Sequence, residues 1–165
     1  MFDNIDLKDA VRRAMQTEKN AMDFYKRGAE MMKNAEAKKV FELLAREESE
    51  HAEWFYNVYP GDDIADFKAF LDAGADQESE WMNELNEVKA ADFNERKAME
   101  LAMQEEEDLA KHLDMTADKI VDPGVRAVFE KMAKETRDHY AIIESEYAHC
   151  MGMVHETDID TYVRE

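Results

Sequence analysis

The most informative stretch of the sequence is Leu44-Ala45-Arg46-Glu47-Glu48-Ser49-Glu50-His51-Ala52. It places a carboxylate and an imidazole three residues apart in a run of helix-forming residues. Positions i and i+3 lie on one face of an α-helix, about one turn apart, so Glu48 and His51 can point at the same atom. A single Glu-x-x-His is weak evidence in a chain this rich in glutamate, and its weight comes from the surrounding sequence.

The sequence resembles itself at an offset of 88 residues. The segment Ala14-Met15-Gln16-Thr17-Glu18 falls on Ala102-Met103-Gln104-Glu105-Glu106, and Val40-Phe41-Glu42 falls on Val128-Phe129-Glu130 without a gap. Such self-similarity indicates a duplicated supersecondary unit. Because the unit is a pair of helices, the sequence predicts an all-α fold, a four-helix bundle built from two duplicated helix pairs.

The two halves differ at one chemically important position. At the same offset His51 falls on His139, but Glu48 falls on Thr136. The second half therefore offers Thr-x-x-His where the first half offers Glu-x-x-His.

Caps and breakers divide the chain into elements. They predict four long helices, at about residues 6–33, 34–59, 92–121 and 122–151. The stretch 62–91 carries two short helical pieces and is predicted to be a long crossover connection within a single domain of residues 1–165. Its apolar residues need a surface on which to pack, either the bundle or a partner, so we expect a homodimer. The residues 153–165 are predicted to form a peripheral tail.

The composition limits the possible partners. A formal net charge of −19 argues against binding nucleic acid or an anionic membrane surface, because both require basic patches. Cys150 is the only cysteine, so the sequence has neither a disulfide framework nor a Cys-x-x-Cys metal site. No signal peptide or apolar run of about 20 residues is visible. We therefore expect a cytoplasmic protein.

Polar residues interrupt the apolar stripe of each long helix. A charge in such a stripe is costly unless something pairs with it. These residues are Glu18, Glu48, His51, Glu106, Thr136 and His139. A four-helix bundle can bind two metal ions with one Glu from each of two helices and a Glu-x-x-His from each of the other two. Such oxygen and nitrogen ligands suit iron or manganese.

The chain supplies five of these six ligands, Glu18, Glu48, His51, Glu106 and His139. Three carboxylates leave a formal charge of about +1 on two divalent ions, so the second ion is expected to bind less tightly.

Two further residues are candidates for the same site. Glu135 is four residues before His139 and can share its helix face, so it is a candidate replacement ligand. Its counterpart Glu47 lies outside the predicted site, however, and equal geometry would turn Glu135 away. Tyr25 lies on the face of Glu18 and is a candidate catalytic residue that hydrogen-bonds a metal ligand or bound oxygen, although a tyrosine at core spacing also serves as packing.

These motifs resemble the rubrerythrin-like branch of the ferritin-like superfamily over residues 6–151. The resemblance implies two iron ions that react with hydrogen peroxide or dioxygen through the Fe(II)/Fe(III) couple. Rubrerythrins receive electrons through a rubredoxin domain with two Cys-x-x-Cys pairs, which this sequence lacks, so an external electron donor is expected. Thr136 departs from the family pattern, as does Leu109, which replaces a glutamate that exchanges with histidine during turnover.

Three functions remain open from the sequence. The first is a di-iron, or iron and manganese, oxidoreductase that acts on peroxide or oxygen. The second is an iron-binding or storage protein with an incomplete site and little turnover, which the loss of the sixth ligand favours. The third is a degenerate metal-free bundle, against which the five inward polar groups argue because burying them unpaired is costly.

Overall fold

The computed structural model describes residues 6–90 and 94–152, and these residues form six helices. Their bounds are α1 Leu7–Met31, α2 Ala35–Asn57, α3 Phe67–Asp72, α4 Glu80–Ala90, α5 Glu95–Ala117 and α6 Pro123–Cys150. The predicted all-α fold is confirmed, and the architecture is that of a ferritin-like helical bundle. No described helix is long and apolar enough to cross a membrane. The predicted peripheral tail, 153–165, lies outside the described residues.

Side-chain caps fix the start of each long helix. Asp6, Asn34, Asn94 and Asp122 each accept a hydrogen bond from the backbone N–H three residues later. These bonds satisfy one of the N–H groups that have no partner within the first turn. Pro123 stands in the first turn of α6, where its missing N–H costs nothing.

The four long helices form two pairs, α1 with α2 and α5 with α6, and α2 also packs on α6. Gly28 allows α1 to approach α2 closely. A Cβ atom at this position would lie 2.8 Å from the ring of Phe41, so any larger residue would push the ring or the helix away. The duplicated units seen in the sequence are thus the packed pairs of the structure.

A polar layer separates two apolar clusters in the bundle. The Phe24 cluster includes Phe24, Tyr25, Phe41 and Trp81, and the Phe129 cluster includes Met15, Phe55, Leu113 and Phe129. On α1, Glu18 lies between Met15 of one cluster and Ala21 of the other. The polar layer consists of buried residues from all four long helices, namely Glu18, Glu48, His51, Glu106, Thr136 and His139.

The connection between α2 and α5 packs on the bundle. Trp81 of α4 is 4% exposed and lies in the Phe24 cluster, with its ring 5.0 Å from that of Phe24. Phe67 of α3 stacks on Tyr56 of α2 at 4.9 Å and packs against the Phe129 cluster. These aromatic residues therefore pack within their own chain and give no reason to expect a partner, so the homodimer stays a prediction.

Candidate metal centre

The structure brings all five of the expected ligands together in the polar layer. His51 Nδ1 lies 3.0 Å from Glu48 Oε1 and 3.5 Å from Glu18 Oε1. His139 Nδ1 lies 3.4 Å from the same Glu48 oxygen and 3.5 Å from Glu106 Oε2. Glu48 therefore lies between two half-sites, one built by α1 and α2 and the other completed by α5 and α6.

The inward atoms of these ligands lack hydrogen-bond partners. They are both carboxylate oxygens of Glu18 and of Glu48, Oε1 of Glu106, and Nδ1 of His51 and His139. The close approaches of the imidazoles and carboxylates do not satisfy hydrogen-bond geometry, even at 3.0 Å. Buried polar atoms without partners are rare and costly in proteins. Seven of them facing one another form an oxygen- and nitrogen-lined site that suits metal cations.

The outer nitrogen of each imidazole binds a carboxylate from the opposite helix pair. His51 Nε2 lies 3.1 Å from Glu135 Oε1 of α6, and His139 Nε2 lies 2.9 Å from Glu47 Oε1 of α2. A carboxylate on one ring nitrogen fixes the tautomer and leaves the other nitrogen free to bind a metal. The crossed contacts thus point both Nδ1 atoms into the polar layer. The two rings stack, with centroids 4.8 Å apart.

Glu135 lies outside the group of inward ligands. Its carboxylate contacts His51 rather than His139, and its other oxygen pairs with Lys131 at 3.0 Å. The prediction that it replaces the missing carboxylate is therefore not supported by its position. The sequence analysis also did not predict the contact between Glu47 and His139. The correspondence of Glu47 with Glu135 at the 88-residue offset could have suggested it.

Thr136 occupies the position of the sixth ligand. It is fully buried, and its hydroxyl donates a hydrogen bond to the backbone oxygen of Met132 at 2.7 Å. A threonine hydroxyl satisfied in this way carries no negative charge to offset a cation. The α5–α6 pair therefore contributes one carboxylate fewer to the polar layer than the α1–α2 pair does.

Tyr25 reaches from α1 across to the second half-site. Its hydroxyl donates a hydrogen bond to Glu106 Oε2 at 2.6 Å, while Phe24 and Phe41 meet its ring edge to face. Burial and the charge of Glu106 raise the pKa of Tyr25 well above its usual value, so the phenol stays protonated. The hydrogen bond from Tyr25 therefore engages one of the two carboxylate oxygens of Glu106.

The carboxyl groups and imidazoles of the polar layer hold protons when no cation is bound. Burial and the charge of Glu48 raise the pKa of Glu18 to about 8 and that of Glu106 to about 7. Burial lowers the pKa of His51, but Glu18 and Glu48 outweigh it and raise the pKa to about 11. Burial also opposes ionisation of Glu48, yet the two imidazolium groups lower its pKa to about 2. A cation that binds here must replace these protons.

The model of the rubrerythrin family matches residues 9–147 of the chain, a range that contains all of the polar layer. Comparisons with curated proteins and with solved structures find no match. The family implies a di-iron protein, and the group formed by Glu48, His51 and His139 has the geometry to hold a metal ion. From the family match and the all-helical fold, we conclude that this chain belongs to the rubrerythrin family.

Proposed function

We propose that the polar layer binds two metal ions, iron or iron with manganese, and that the protein is an oxidoreductase acting on hydrogen peroxide or dioxygen. The observation that carries this proposal is the set of seven buried inward atoms without hydrogen-bond partners. Glu18, Glu48 and His51 would hold the first ion. Glu106 and His139 would hold the second, and Glu48 faces both imidazoles.

Iron bound at this site supplies an Fe(II)/Fe(III) couple that can pass electrons to an oxygen substrate. The chain itself buries the polar layer, and the Phe24 and Phe129 clusters flank it on either side along the long helices. Glu47 and Glu135 position the imidazoles through their outer nitrogens. Tyr25 donates its phenolic proton to Oε2 of Glu106, a residue that would hold the second ion, and is the candidate catalytic residue. Electrons come from a separate protein or a small molecule.

A second candidate function is metal binding or storage with little turnover. The buried Thr136, which offers no carboxylate, is the observation that favours it. With three carboxylates for two divalent ions, the second ion keeps an uncompensated charge of about +1 and is held less tightly. The two functions share the first half-site and differ in whether the second is filled during turnover.

Anaerobic loading with Fe(II), followed by elemental analysis of the desalted protein, tests both functions. We expect close to two ions per chain and rapid oxidation of the bound iron when hydrogen peroxide is added, with repeated turnover once a reductant is supplied. One ion per chain without repeated turnover would favour binding or storage. No bound metal would contradict both and favour a metal-free bundle. Glu50→Gln, an exposed change on α2, is the control for the matching change at Glu48.

A further inference from the structure

A lysine and a tryptophan lie next to the carboxylate behind the first half-site. Lys131 Nζ lies 3.0 Å from Glu135 Oε2, and Glu135 Oε1 lies 3.1 Å from His51 Nε2. The same lysine nitrogen lies 4.9 Å from the centroid of the Trp54 ring, which is within cation–π distance. Trp54 stands on α2 one turn after His51, and its side chain is half exposed. A chain of contacts therefore runs from the protein surface to His51.

The corresponding carboxylate of the second half-site has no such cation beside it. The side chains of Glu47 and Glu135 are about equally exposed, at 35% and 33%. At the 88-residue offset, however, Leu43 stands where the second half has Lys131. Within the described part of the chain, no lysine or arginine lies within ion-pair distance of Glu47. The repeat thus keeps the contact between carboxylate and imidazole and changes what lies behind it.

A carboxylate that is one-third exposed can fix an imidazole only if its own position is restricted. One exposed ion pair restricts it little, because water screens the charges and both side chains lose freedom when they pair. Lys131 makes two contacts at once, an ion pair with Glu135 and a cation–π contact with Trp54. The second contact restricts the lysine before the ion pair forms. Because Lys131 contacts Oε2 of Glu135, Oε1 is directed at His51.

We propose that Lys131, restrained by Trp54, is a positioning residue that keeps Glu135 against His51. This inference rests on the metal centre proposed above, in which His51 would hold the first ion. Lys131 would act on that ion through Glu135 and would contact neither the metal nor the substrate. Charge repulsion alone gives the opposite expectation, since removal of a nearby cation favours metal binding. The sign of the change in affinity therefore distinguishes positioning from repulsion.

Co²⁺ titrations of lysine variants test the proposal. Lys131→Met, which removes the charge and keeps a long side chain, should weaken the first Co²⁺ by about threefold, the scale of one partly exposed ion pair. Lys131→Arg should restore the affinity, because a guanidinium can make both contacts. The matched control is Lys134→Met, whose lysine pairs with Asp138 on the same helix, and it should leave the affinity unchanged. In a Glu135→Gln background, Lys131→Met should have no further effect.

A second measurement requires no metal. Because a carboxylate can only accept, His51 Nε2 carries the proton in its contact with Glu135. Exchange of this proton with water, measured by NMR in the metal-free protein, should be faster in Lys131→Met and unchanged in Lys134→Met. Tighter Co²⁺ binding in Lys131→Met, or equal results for the two lysine variants, would overturn the proposal. If the unchanged protein bound no Co²⁺, the proposed metal centre would be wrong, and proton exchange alone would decide whether Lys131 positions Glu135.

Discussion

The two halves of the polar layer correspond at the 88-residue offset, yet they present unequal sets of carboxylates. The α1–α2 pair presents Glu18 with both oxygens free, together with Glu48 and His51. In the α5–α6 pair, Thr136 replaces the carboxylate, and Glu106 has only Oε1 free. The comparison shows that a duplicated fold can keep its geometry while its two halves differ in the number of carboxylates they present.

The features shared by the two halves are those that position the imidazoles. Glu47 and Glu135 coincide at the 88-residue offset and make the same contact, each with the histidine of the other pair. Tyr25 has no such counterpart, since Leu113 stands at the equivalent position. The first helix pair thus contacts the second half-site through Tyr25, which binds Glu106, and through Glu47, which binds His139. The half-sites are therefore unequal but in direct contact.

Glu48→Gln is expected to have the largest effect, because Glu48 is the only carboxylate in the described part of the chain that faces both imidazoles through their Nδ1 atoms. We expect the loss of both ions, with affinity at least about a hundredfold weaker than in the unchanged protein. Elemental analysis after loading with Fe(II) measures this, with Glu50→Gln as the control. Retention of one tightly bound ion would show that the half-sites are independent.

Metal affinity is expected to depend on pH. In the metal-free protein the pKa of Glu18 is raised to about 8 and that of Glu106 to about 7, so both carboxyls hold protons at pH 6. Because a metal requires the ionised form, affinity should fall as pH falls through this window, by up to about tenfold per unit for each proton released. Calorimetric titrations in buffers of different ionisation enthalpy measure the protons released. A pH-independent affinity between pH 6 and 8 would contradict this prediction.

Glu47→Gln and Glu135→Gln test whether the contacts are crossed. Loss of a carboxylate behind a metal-binding histidine weakens metal binding by about 10–100-fold. Glu135→Gln should weaken the first ion, held by His51, whereas Glu47→Gln should weaken the second, held by His139.

Successive Co²⁺ binding constants from titration of the visible spectrum distinguish the two ions, with exposed Glu53→Gln as the control. The opposite assignment, with each variant affecting the histidine on its own helix, would contradict the crossed arrangement.

Thr136→Glu should make the two halves more alike. The added carboxylate stands at the position that matches Glu48 and offsets the remaining positive charge, so we expect the second ion to bind about tenfold more tightly. Thr136→Val, which keeps the size and removes the hydroxyl, should leave the second ion as weak as before. If the glutamate variant binds no more metal than the valine variant, charge does not limit the second half-site.

The sequence was sufficient for the architecture and for the positions of the inward polar residues. Helix caps at Asn34 and Asp122 and the repeat at 88 residues depend on local chemistry and on periodicity, which a sequence carries directly. The alignment of Glu18, Glu48, His51, Glu106 and His139 follows from the same periodicity, because inward positions recur along each helix.

The contacts between the two helix pairs could not be predicted from the sequence. Glu135 and His139 are four residues apart, which suggested a contact on one helix, but the packing of α2 on α6 brings Glu135 to His51. Which carboxylate meets which ring depends on the offset between neighbouring helices, and spacing along one helix does not contain that offset.

Tyr25→Phe should have the smallest effect on metal affinity. It tests directly whether the hydrogen bond from the first helix pair restricts the second half-site. The change removes the hydrogen bond to Glu106 and frees its second oxygen, so the second ion should bind a few-fold more tightly. The metal-free protein should lose about 1–3 kcal/mol of stability, since a buried hydrogen bond to a carboxylate is lost.

The matched control is Tyr56→Phe, which loses a hydroxyl that donates to the backbone oxygen of Ile64, outside the polar layer. It should lower stability without changing the affinity for either ion. If Tyr25→Phe instead weakens the second ion, the phenol stabilises Glu106 in its metal-binding position rather than competing for its oxygen. Of the two differences, only Thr136 would then weaken the second half-site, because the hydrogen bond from Tyr25 would support that half-site instead of restricting it.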